Sequence, residues 1–309
     1  MQSLADERRR DLLNKFCDRV VEGRGLLPAP EPLPYDPVPA IETVAWPLGF
    51  VQLMVSGELS ETTNLINQWL GSLRRWHAWN ELLRLDDDDI RWGAEWEWVE
   101  PLAFQSMFQP SATRDRFIMI ATNALHQVRL AIDPSVRDEL LGDPAAPGEQ
   151  RVYPSRLAKE KQLKQLAKPW AAGKVFIQAL GQLDDRDYRQ VTSDFRNRAS
   201  HGIAPRFSAG ITSMVTRTRV QATKSEEQPD GSYLVVPVPD KMATSYDFGG
   251  TEPLSMDEAW KANLKQFTRA RRLFDAYVAL LGEATAAMPQ RRRDDASEGA
   301  ANAKAHAAA

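Results

Sequence analysis

Arg196, Asn197 and His201 are the residues with the clearest potential for chemistry, and they occur together in the run Arg196-Asn197-Arg198-Ala199-Ser200-His201. Histidine titrates near neutrality, so it can accept a proton from a ribose 2′-hydroxyl or donate one to a leaving 5′-oxygen. Arginine is always charged and binds phosphate oxygens through two parallel N–H groups, while asparagine can orient either partner. The three residue types are therefore suited to metal-independent cleavage of RNA through the 2′-hydroxyl, which would leave a 2′,3′-cyclic phosphate.

A single helix is predicted to present these residues. Asp184 and Asp185 are placed to cap its N-terminus, and the helix is predicted to continue to about Ser200. At about 100° per residue, one narrow arc of this helix is apolar and is predicted to be buried. That arc consists of Tyr188, Val191, Phe195 and Ala199.

The candidate residues are expected to lie on the other side of the same helix. Asn197 and His201 are one turn apart, at about 200° and 240° from the centre of the buried arc. Arg196 lies about 140° from His201 on an ideal helix, so both can reach one phosphate only under one of two conditions. Either the last turn unwinds at Gly202, which is suited to end a helix, or a second subunit completes the site.

Charge is distributed unevenly along the chain. The formal net charge is −3, but residues 151–224 contain 15 Lys and Arg against 5 Asp and Glu, so this segment carries +10 and the remainder −13. A concentration of positive charge of this size favours a polyanion-binding face. The alternative is a solvated basic helix face that is matched by an acidic face elsewhere in the fold.

The spacing Arg196-Asn197-x-x-x-His201 resembles the Arg-x(4–6)-His motif of HEPN ribonucleases, which commonly have a polar residue directly after the Arg. The resemblance covers the motif and its surrounding helices and implies a helical bundle. It also implies that Arg196 binds or polarises the scissile phosphate, that His201 is the acid or base, and that Asn197 supports both. Arg198, Ser200 and Arg206 are then candidates for binding the substrate.

The resemblance also implies partners and a role. HEPN bundles often pair so that two motifs face one cleft, and one histidine cannot easily act as both acid and base, so a homodimer is expected. RNA is the expected substrate, no cofactor is expected, and the function would be that of a toxin or antiviral defence effector with a possible antitoxin partner. Two alternatives remain: a non-catalytic HEPN-like helical adaptor or RNA-binding or dimerisation protein, and an ordinary surface helix end.

The hydrophobic patterning predicts a mainly α fold, a multi-helix bundle with a small β-hairpin inserted after the motif helix. Pro229-Asp230-Gly231 is predicted to form the turn of this hairpin. The predicted regions are an N-terminal helix (1–25), a proline-rich connector (26–40), a Trp-rich acidic helical region (41–150), a HEPN-like helical region (151–288) with a hairpin near 211–238, and a disordered tail (289–309).

Several local features carry further predictions. Ser60 and Ser111 are predicted to begin long helices that run to about residues 85 and 133. The tryptophans are predicted to be buried, with an aromatic cage for a base or a cation as the alternative. Cys17 and the segment 46–55 are also predicted to be buried. The four aspartates at 86–89 are interpreted as charges at a helix N-terminus, with a divalent-cation site as the alternative.

The sequence also argues against some classes of protein. It contains one cysteine, so no intramolecular disulfide can form, and a cytoplasmic location is expected. It shows no signal-peptide pattern and no apolar run of about 18 residues, so no membrane association is expected. No Walker, GxGxxG, GxSxG or HExxH pattern occurs, and no Cys/His cluster suggests zinc.

Overall fold

The computed structural model describes residues 2–22, 31–36, 39–84 and 88–289. These residues are mostly helical and contain one two-stranded antiparallel sheet, which confirms the predicted mainly α class with a hairpin after the motif. Two compact units are present. Unit 1 contains the described residues up to Tyr188 and from Trp260 onward, and unit 2 is Arg189–Ala259. Among the described residues, no helix combines the length and apolar composition that crossing a bilayer requires.

The helices are α1 (Gln2–Glu22), α2 (Pro39–Glu42), α3 (Gly49–Leu83), α4 (Asp88–Ala94), α5 (Glu100–Ile132), α6 (Arg156–Ala167), α7 (Ala171–Gly181), α8 (Arg186–Val191), α9 (Phe195–Ser200) and α10 (Met256–Ala286). A π-helical turn (Glu95–Val99) joins α4 to α5, and the strands are β1 (Val215–Glu227) and β2 (Tyr233–Phe248). The proline-containing segment 143–150 lies in the loop between α5 and α6.

The predicted starts of the two longest helices are wrong. Helix α3 begins 11 residues before Ser60, and α5 begins 11 residues before Ser111, so both serines are interior helical residues. Ser111 is buried, and its hydroxyl accepts a hydrogen bond from Arg156 at 2.6 Å instead of capping a helix. A serine caps the start of a helix when its hydroxyl bonds to a backbone N–H in the first turn. Here the Ser111 hydroxyl bonds to Arg156, which is distant in sequence.

A buried amide joins four helices of unit 1. Asn263 on α10 accepts a hydrogen bond from Trp69 Nε1 on α3 at 2.9 Å. Its Nδ2 donates to the Tyr188 hydroxyl on α8 at 2.9 Å and to Met107 Sδ on α5 at 3.3 Å. The Tyr188 hydroxyl donates in turn to the Met107 carbonyl at 3.3 Å. The side-chain amide thus has a partner for its acceptor and for both donors, which is the condition for burying it without a large penalty.

A second polar contact joins α6 to its neighbours. Arg156 binds Asp115 on α5 at 2.6 Å and Asp184 at 2.9 Å. Burial by itself lowers the pKa of this guanidinium, but the hydrogen bonds and charges of the two aspartates outweigh burial and raise its pKa. The Asp184 side chain is buried, so removing Arg156 would take away a cation that offsets a charge inside the protein.

The aromatic residues only partly follow the prediction that they are core. Trp69, Trp76 and Trp79 are buried, as expected. Trp92 and Trp96 are 62% and 65% exposed, so the prediction is wrong for them. The same holds for part of the segment 46–55, where Val51 and Val55 are buried but Phe50 and Leu53 are exposed because they lie on the outer face of α3. Cys17 is also exposed, not buried.

Some predictions fall outside the described residues. They concern the end of the N-terminal region and the connector at 23–30 and 37–38, the aspartates at 86 and 87, and the tail from 290 onward. Helix α4 begins at Asp88, so a helix does start at the run of aspartates, as interpreted from the sequence. The described part of the connector includes Leu33, which is buried. Its backbone N–H donates to Asn67 Oδ1 at 2.7 Å, and its carbonyl accepts from Asn67 Nδ2 at 3.1 Å.

In unit 2 the hairpin begins later and extends further than predicted, from 215 to 248. The predicted turn Pro229-Asp230-Gly231 is confirmed between the strands, with Gly231 at φ +80°. The register changes between Gln221, which pairs with Met242, and Thr223, which pairs with Pro237. Four residues of β2, 238–241, therefore lie opposite the single residue Ala222 and form a bulge. Prolines are tolerated at such a bulge, and β2 resumes regular pairing at Met242.

We predict that Asn263→Leu destabilises the protein by roughly 2 kcal/mol or more, because Trp69 Nε1 loses its buried acceptor and the Tyr188 hydroxyl loses the hydrogen bond that it accepts from Asn263. Chemical denaturation of the wild type, Asn263→Leu, Tyr188→Phe and the double variant measures this effect. Tyr188→Phe should lower the free energy of unfolding by less in the Asn263→Leu variant than in the wild type. The expected coupling energy is roughly 0.5–3 kcal/mol. Strictly additive losses would contradict the arrangement.

Candidate functional site

The motif lies on a short helix, not at the end of a long one. The predicted continuous helix from Asp184 to Ser200 is wrong, because residues 192–194 form a turn between α8 and α9. The predicted start is confirmed: Asp185 Oδ1 accepts a hydrogen bond from the Tyr188 N–H at 3.1 Å. A capping carboxylate at that position is what the sequence indicates.

A Schellman motif ends α8. The Asp194 N–H donates to the Arg189 carbonyl at 2.6 Å, and the Ser193 N–H donates to the Gln190 carbonyl at 3.2 Å. Ser193 and Asp194 have φ values of +50° and +51°, in the left-handed region that residues other than glycine seldom occupy. Ser and Asp give little warning of this in sequence, because neither is the glycine that usually ends a helix in this way.

The break changes which residues are buried. Tyr188 and Phe195 are buried, as predicted for the apolar arc, but Val191 is 57% exposed. The prediction is wrong for Val191, the last residue of α8, which lies beside the turn at 192–194. Ala199, the fourth residue of the arc, is half-buried.

Gly202 ends α9 as the sequence predicts. Its N–H donates to the Ala199 carbonyl at 3.0 Å, and the Ile203 N–H donates to the Arg198 carbonyl at 3.0 Å. Gly202 has φ +73°, so this end is a second Schellman motif. His201 is the C-cap with φ −104° and ψ 7°, which places it just outside the regular helix that contains Arg196.

The side chains of Arg196, Asn197 and His201 are all exposed. Within the described residues, neither Arg196 nor His201 has an acidic partner or a side-chain hydrogen bond to another protein group. Both are therefore available to an external ligand. Arg196 and His201 do not hydrogen-bond to each other. They can act on one phosphate only through the bound ligand or through a second subunit.

Asn197 is the one proposed catalytic side chain that is anchored within the described part of the chain. Its Nδ2 donates to Asp194 Oδ2 at 3.0 Å. The backbone carbonyl of Asn197 accepts from the Ser200 hydroxyl at 2.6 Å. Sequence reasoning missed Asp194 as a member of the motif, although its place three residues before Asn197 is the spacing at which helical side chains meet. Asp194 orients Asn197 at the start of the helix that carries Arg196.

The candidate substrate-binding residues are used in different ways. Arg198 donates a hydrogen bond to the Thr251 hydroxyl, so its side chain contacts the segment that follows the hairpin. Ser200 bonds its own helix, as described above. The Arg206 side chain is exposed, while its carbonyl accepts from the Leu254 N–H at 2.8 Å. Thr251 and Leu254 were not singled out from the sequence, because their role depends on how the chain returns after the hairpin.

Phe195 and Phe207 anchor the two ends of this region. Both are buried, and their rings pack at a centroid distance of 5.3 Å. Phe195 is the first residue of α9, so its burial leaves the residues that follow on the outer side of the helix. The exposed placement of Arg196 and Asn197 is the direct consequence.

Comparisons with known proteins identify no relative. No protein-family model, curated protein or solved structure matches this chain.

Within the described residues, no three His, Cys, Asp or Glu side chains come together in a way that could hold a metal ion.

We predict that Gly202→Ala destabilises the protein by about 1 kcal/mol and loosens the end of α9. The expected cause is the positive φ alone, since an added Cβ would meet nothing within 4 Å. Gly282→Ala is the matched control: this glycine is inside α10, and its added Cβ would also lie in open space. It should stabilise the protein by roughly 0.5–1 kcal/mol. Thermal unfolding of both variants should show shifts of opposite sign, and equal shifts would contradict the assignment.

Proposed function

We propose that this protein is a metal-independent endoribonuclease of the HEPN type. The observation that carries the proposal is the placement of Arg196 and His201 at an exposed, well-defined helix, where neither has an acidic partner among the described residues. An ordinary surface helix end with Arg196 held in an ion pair receives no support from this arrangement. The resemblance to the HEPN motif supplies the reaction type.

The reaction follows from the chemistry of the side chains. One histidine takes the proton of the 2′-hydroxyl as its oxygen attacks phosphorus, and the bond from phosphorus to the 5′-oxygen breaks. A second histidine gives a proton to that departing oxygen, which leaves a 2′,3′-cyclic phosphate on the upstream fragment. Arg196 binds the phosphate and offsets the negative charge that builds up on it.

A homodimer would supply the second histidine. Each chain has one His201, and a single imidazole that has just accepted a proton in the attack is not free to act as an independent acid in the same step. Two copies related by a two-fold axis would place the two motifs in one cleft. The proposed enzyme is thus active only as a dimer of the 34.7 kDa chain.

Backbone strain at the motif supports a functional role. Two consecutive residues, Ser193 and Asp194, hold left-handed conformations, each of which costs about 1–2 kcal/mol for a residue with a Cβ. Strain of this kind persists where the surrounding structure imposes it, and such sites are enriched in functional residues. Here the strained pair directly precedes the helix that bears Arg196 and supplies the carboxylate that orients Asn197.

The biological role belongs to the same proposal. An enzyme that cleaves RNA without a cofactor can arrest growth or block phage propagation, as HEPN toxins and defence effectors do. The proposed setting is therefore the cytoplasm, with RNA as substrate and an antitoxin or regulatory protein as a possible partner.

We predict that the purified protein cleaves RNA in the presence of EDTA and that His201→Ala reduces the rate by about 10²- to 10⁴-fold. Arg196→Ala should also reduce the rate, because the phosphate then has no bidentate partner. Cleavage is followed with labelled RNAs of varied sequence, and the upstream product is examined for a 2′,3′-cyclic phosphate.

Arg186→Ala is the matched control for this experiment. Arg186 is an exposed helical arginine on α8, outside the motif, and its substitution should leave the rate unchanged. Equal cleavage by the wild type and His201→Ala, or no cleavage of any RNA by the wild type, would refute the proposed activity.

A second candidate function is a non-catalytic helical adaptor, and one observation favours it. Trp92 and Trp96 are exposed, and their rings stack at a centroid distance of 6.2 Å with an interplanar angle of 7°. Trp96 lies in the π-helical turn, whose Glu95 and Glu97 already pair with Arg91 and Arg9. The exposed indole rings suit a partner with cationic side chains, through cation–π contacts.

We predict for this second function that a fluorescently labelled oligo-arginine peptide binds the protein and that Trp92→Ser with Trp96→Ser weakens binding by about tenfold. The matched control is Phe50→Ser with Leu53→Ser, which removes two equally exposed apolar side chains from α3. Binding that survives Arg196→Ala and His201→Ala, without RNA cleavage, would favour the adaptor. Equal effects of the two double variants would exclude a specific role for the tryptophans.

A further inference from the structure

The hairpin of unit 2 has a chemically distinct face. In the paired segments 215–221 and 242–248, alternate residues of each strand share a face, and directly opposite residues share it too. Val215 lies opposite Phe248, Arg217 opposite Tyr246, and Arg219 opposite Thr244. We call this surface, which consists of Val215, Arg217, Arg219, Thr244, Tyr246 and Phe248, the ribbon face.

The acidic residue of this segment lies on the other side. Asp247 pairs with Thr216 in the register, and its carboxylate accepts hydrogen bonds from the Thr218 hydroxyl at 3.1 Å and the Ser245 hydroxyl at 2.9 Å. Because neighbouring residues of a strand point to opposite faces, this carboxylate is directed away from the ribbon face. The two faces therefore differ in charge, and the ribbon face holds two arginines without an acid in the paired segments.

The two arginines converge on one neutral group. Arg217 Nη2 lies 3.3 Å and Arg219 Nη1 lies 3.4 Å from the Thr244 hydroxyl oxygen. Neither guanidinium forms an ion pair within the part of the chain that the structure describes. Two like charges gathered at one hydroxyl repel each other unless an anion joins them, so this is a place where a phosphate would be stabilised.

Exposed aromatic rings flank the arginines. Tyr246 is 66% exposed and Phe248 is 88% exposed, although both carry large aromatic rings. They are two residues apart on β2, so their Cα atoms are about 7 Å apart along the strand and their side chains share one face. Two π-faces beside two guanidinium groups match the two parts of a nucleotide, with a stacking surface for the base and a cation for the phosphate.

We propose that the ribbon face binds single-stranded RNA, with Arg217 and Arg219 on its phosphates and Tyr246 and Phe248 stacked on its bases. The choice of RNA over DNA rests on the proposed ribonuclease function, whereas the binding itself does not. A duplex is excluded as the preferred ligand because its bases are already stacked on each other and cannot lie on the rings. The ribbon face is a substrate-binding surface separate from Arg196 and His201.

A second copy of this chain is a poorer occupant of the ribbon face. A two-fold interface places the same patch of both copies in contact, so Arg217 and Arg219 would face the arginines of the other copy. Like charges brought together in a desolvated interface repel each other strongly and disfavour that pairing. An RNA strand supplies instead one negative charge at each phosphate.

The test measures binding separately from cleavage. Full-length protein carrying His201→Ala is titrated in EDTA against a fluorescein-labelled oligouridine of about 12 nucleotides, within the range that one single-strand site covers. A labelled RNA duplex of the same length is titrated in parallel, with fluorescence anisotropy as the readout. We expect the single strand to bind more tightly than the duplex.

The arginines should show an electrostatic signature. We expect Arg217→Gln with Arg219→Gln to weaken binding by about tenfold or more. The slope of log K against log salt should also become shallower, by about 0.7 for each phosphate that the variant no longer neutralises.

The aromatic residues should show a different signature. Tyr246→Ser with Phe248→Ser should weaken binding by about tenfold or more and leave the salt dependence unchanged, because stacking releases no counterions. All four substituted side chains lie on the uncovered ribbon, and thermal unfolding of each variant verifies that the fold is retained.

Lys224→Gln with Lys241→Gln is the charge-matched control. It removes two positive charges from the same hairpin, of which Lys224 already pairs with Glu226 at 2.6 Å. Its affinity should remain within about threefold of the parent protein, as expected for charges that touch no phosphate. Equal losses for the lysine and arginine pairs would overturn the proposal, because they would indicate diffuse attraction by net charge.

Other outcomes are equally decisive. Failure of the oligouridine to bind would overturn the proposal. A change in oligomeric state in the arginine variant, with RNA binding intact, would overturn it too and would show that a second copy occupies the ribbon face. Binding through the ribbon face without cleavage by the wild-type protein would instead refute only the proposed ribonuclease, and cleavage that does not depend on the ribbon face would refute only this inference.

Discussion

The buried side-chain amide of Asn263 is the constraint on which the helical unit depends. A primary amide inside a core has one acceptor and two donor hydrogens to satisfy, and each requires a partner at a defined position. Trp69, Tyr188 and Met107 supply those partners from three other helices. Apolar packing alone would tolerate a shift of one helix along another, but this hydrogen-bond network allows only one register.

Backbone conformation limits the length of the helix that carries the motif. Tyr188 is fixed within α8 by its bond to Asn263, and shortly after it the chain begins α9. Between them the left-handed residues Ser193 and Asp194 end one helix and start the next. A further left-handed position at Gly202 ends α9, so the helix that carries Arg196 is limited to six residues and is defined at both ends by backbone conformation.

The hairpin shows how alternation in a strand separates charges that are adjacent in sequence. Tyr246, Asp247 and Phe248 are consecutive, yet the carboxylate lies on one face while the rings lie on the other. A two-stranded ribbon has no second layer of its own, and apolar side chains on such a ribbon remain exposed unless something binds them. The arginines on the same face favour a polyanion as that binding partner, and this is consistent with the +10 carried by residues 151–224.

Features that depend on a few neighbouring residues were predictable from the sequence. They include the mainly α class, the Asp185 cap, the end of α9 at Gly202 and the hairpin turn at 229–231. In each case the deciding interaction is within about four residues, where propensity and turn chemistry are strong. The motif Arg196-Asn197-x-x-x-His201 is also purely a sequence feature, and its chemistry remains a prediction.

Only the tertiary structure decided which polar groups meet across long distances. The Ser111 hydroxyl binds Arg156, 45 residues away, and is therefore not the cap of a helix N-terminus. The helix break at 192–194 and the exposure of Val191, Trp92 and Trp96 likewise have no clear local signal. The physical reason is that a capping or helix-forming preference is worth about 1 kcal/mol, whereas leaving a buried charge or polar group without its partner costs more, so distant partners override local preferences.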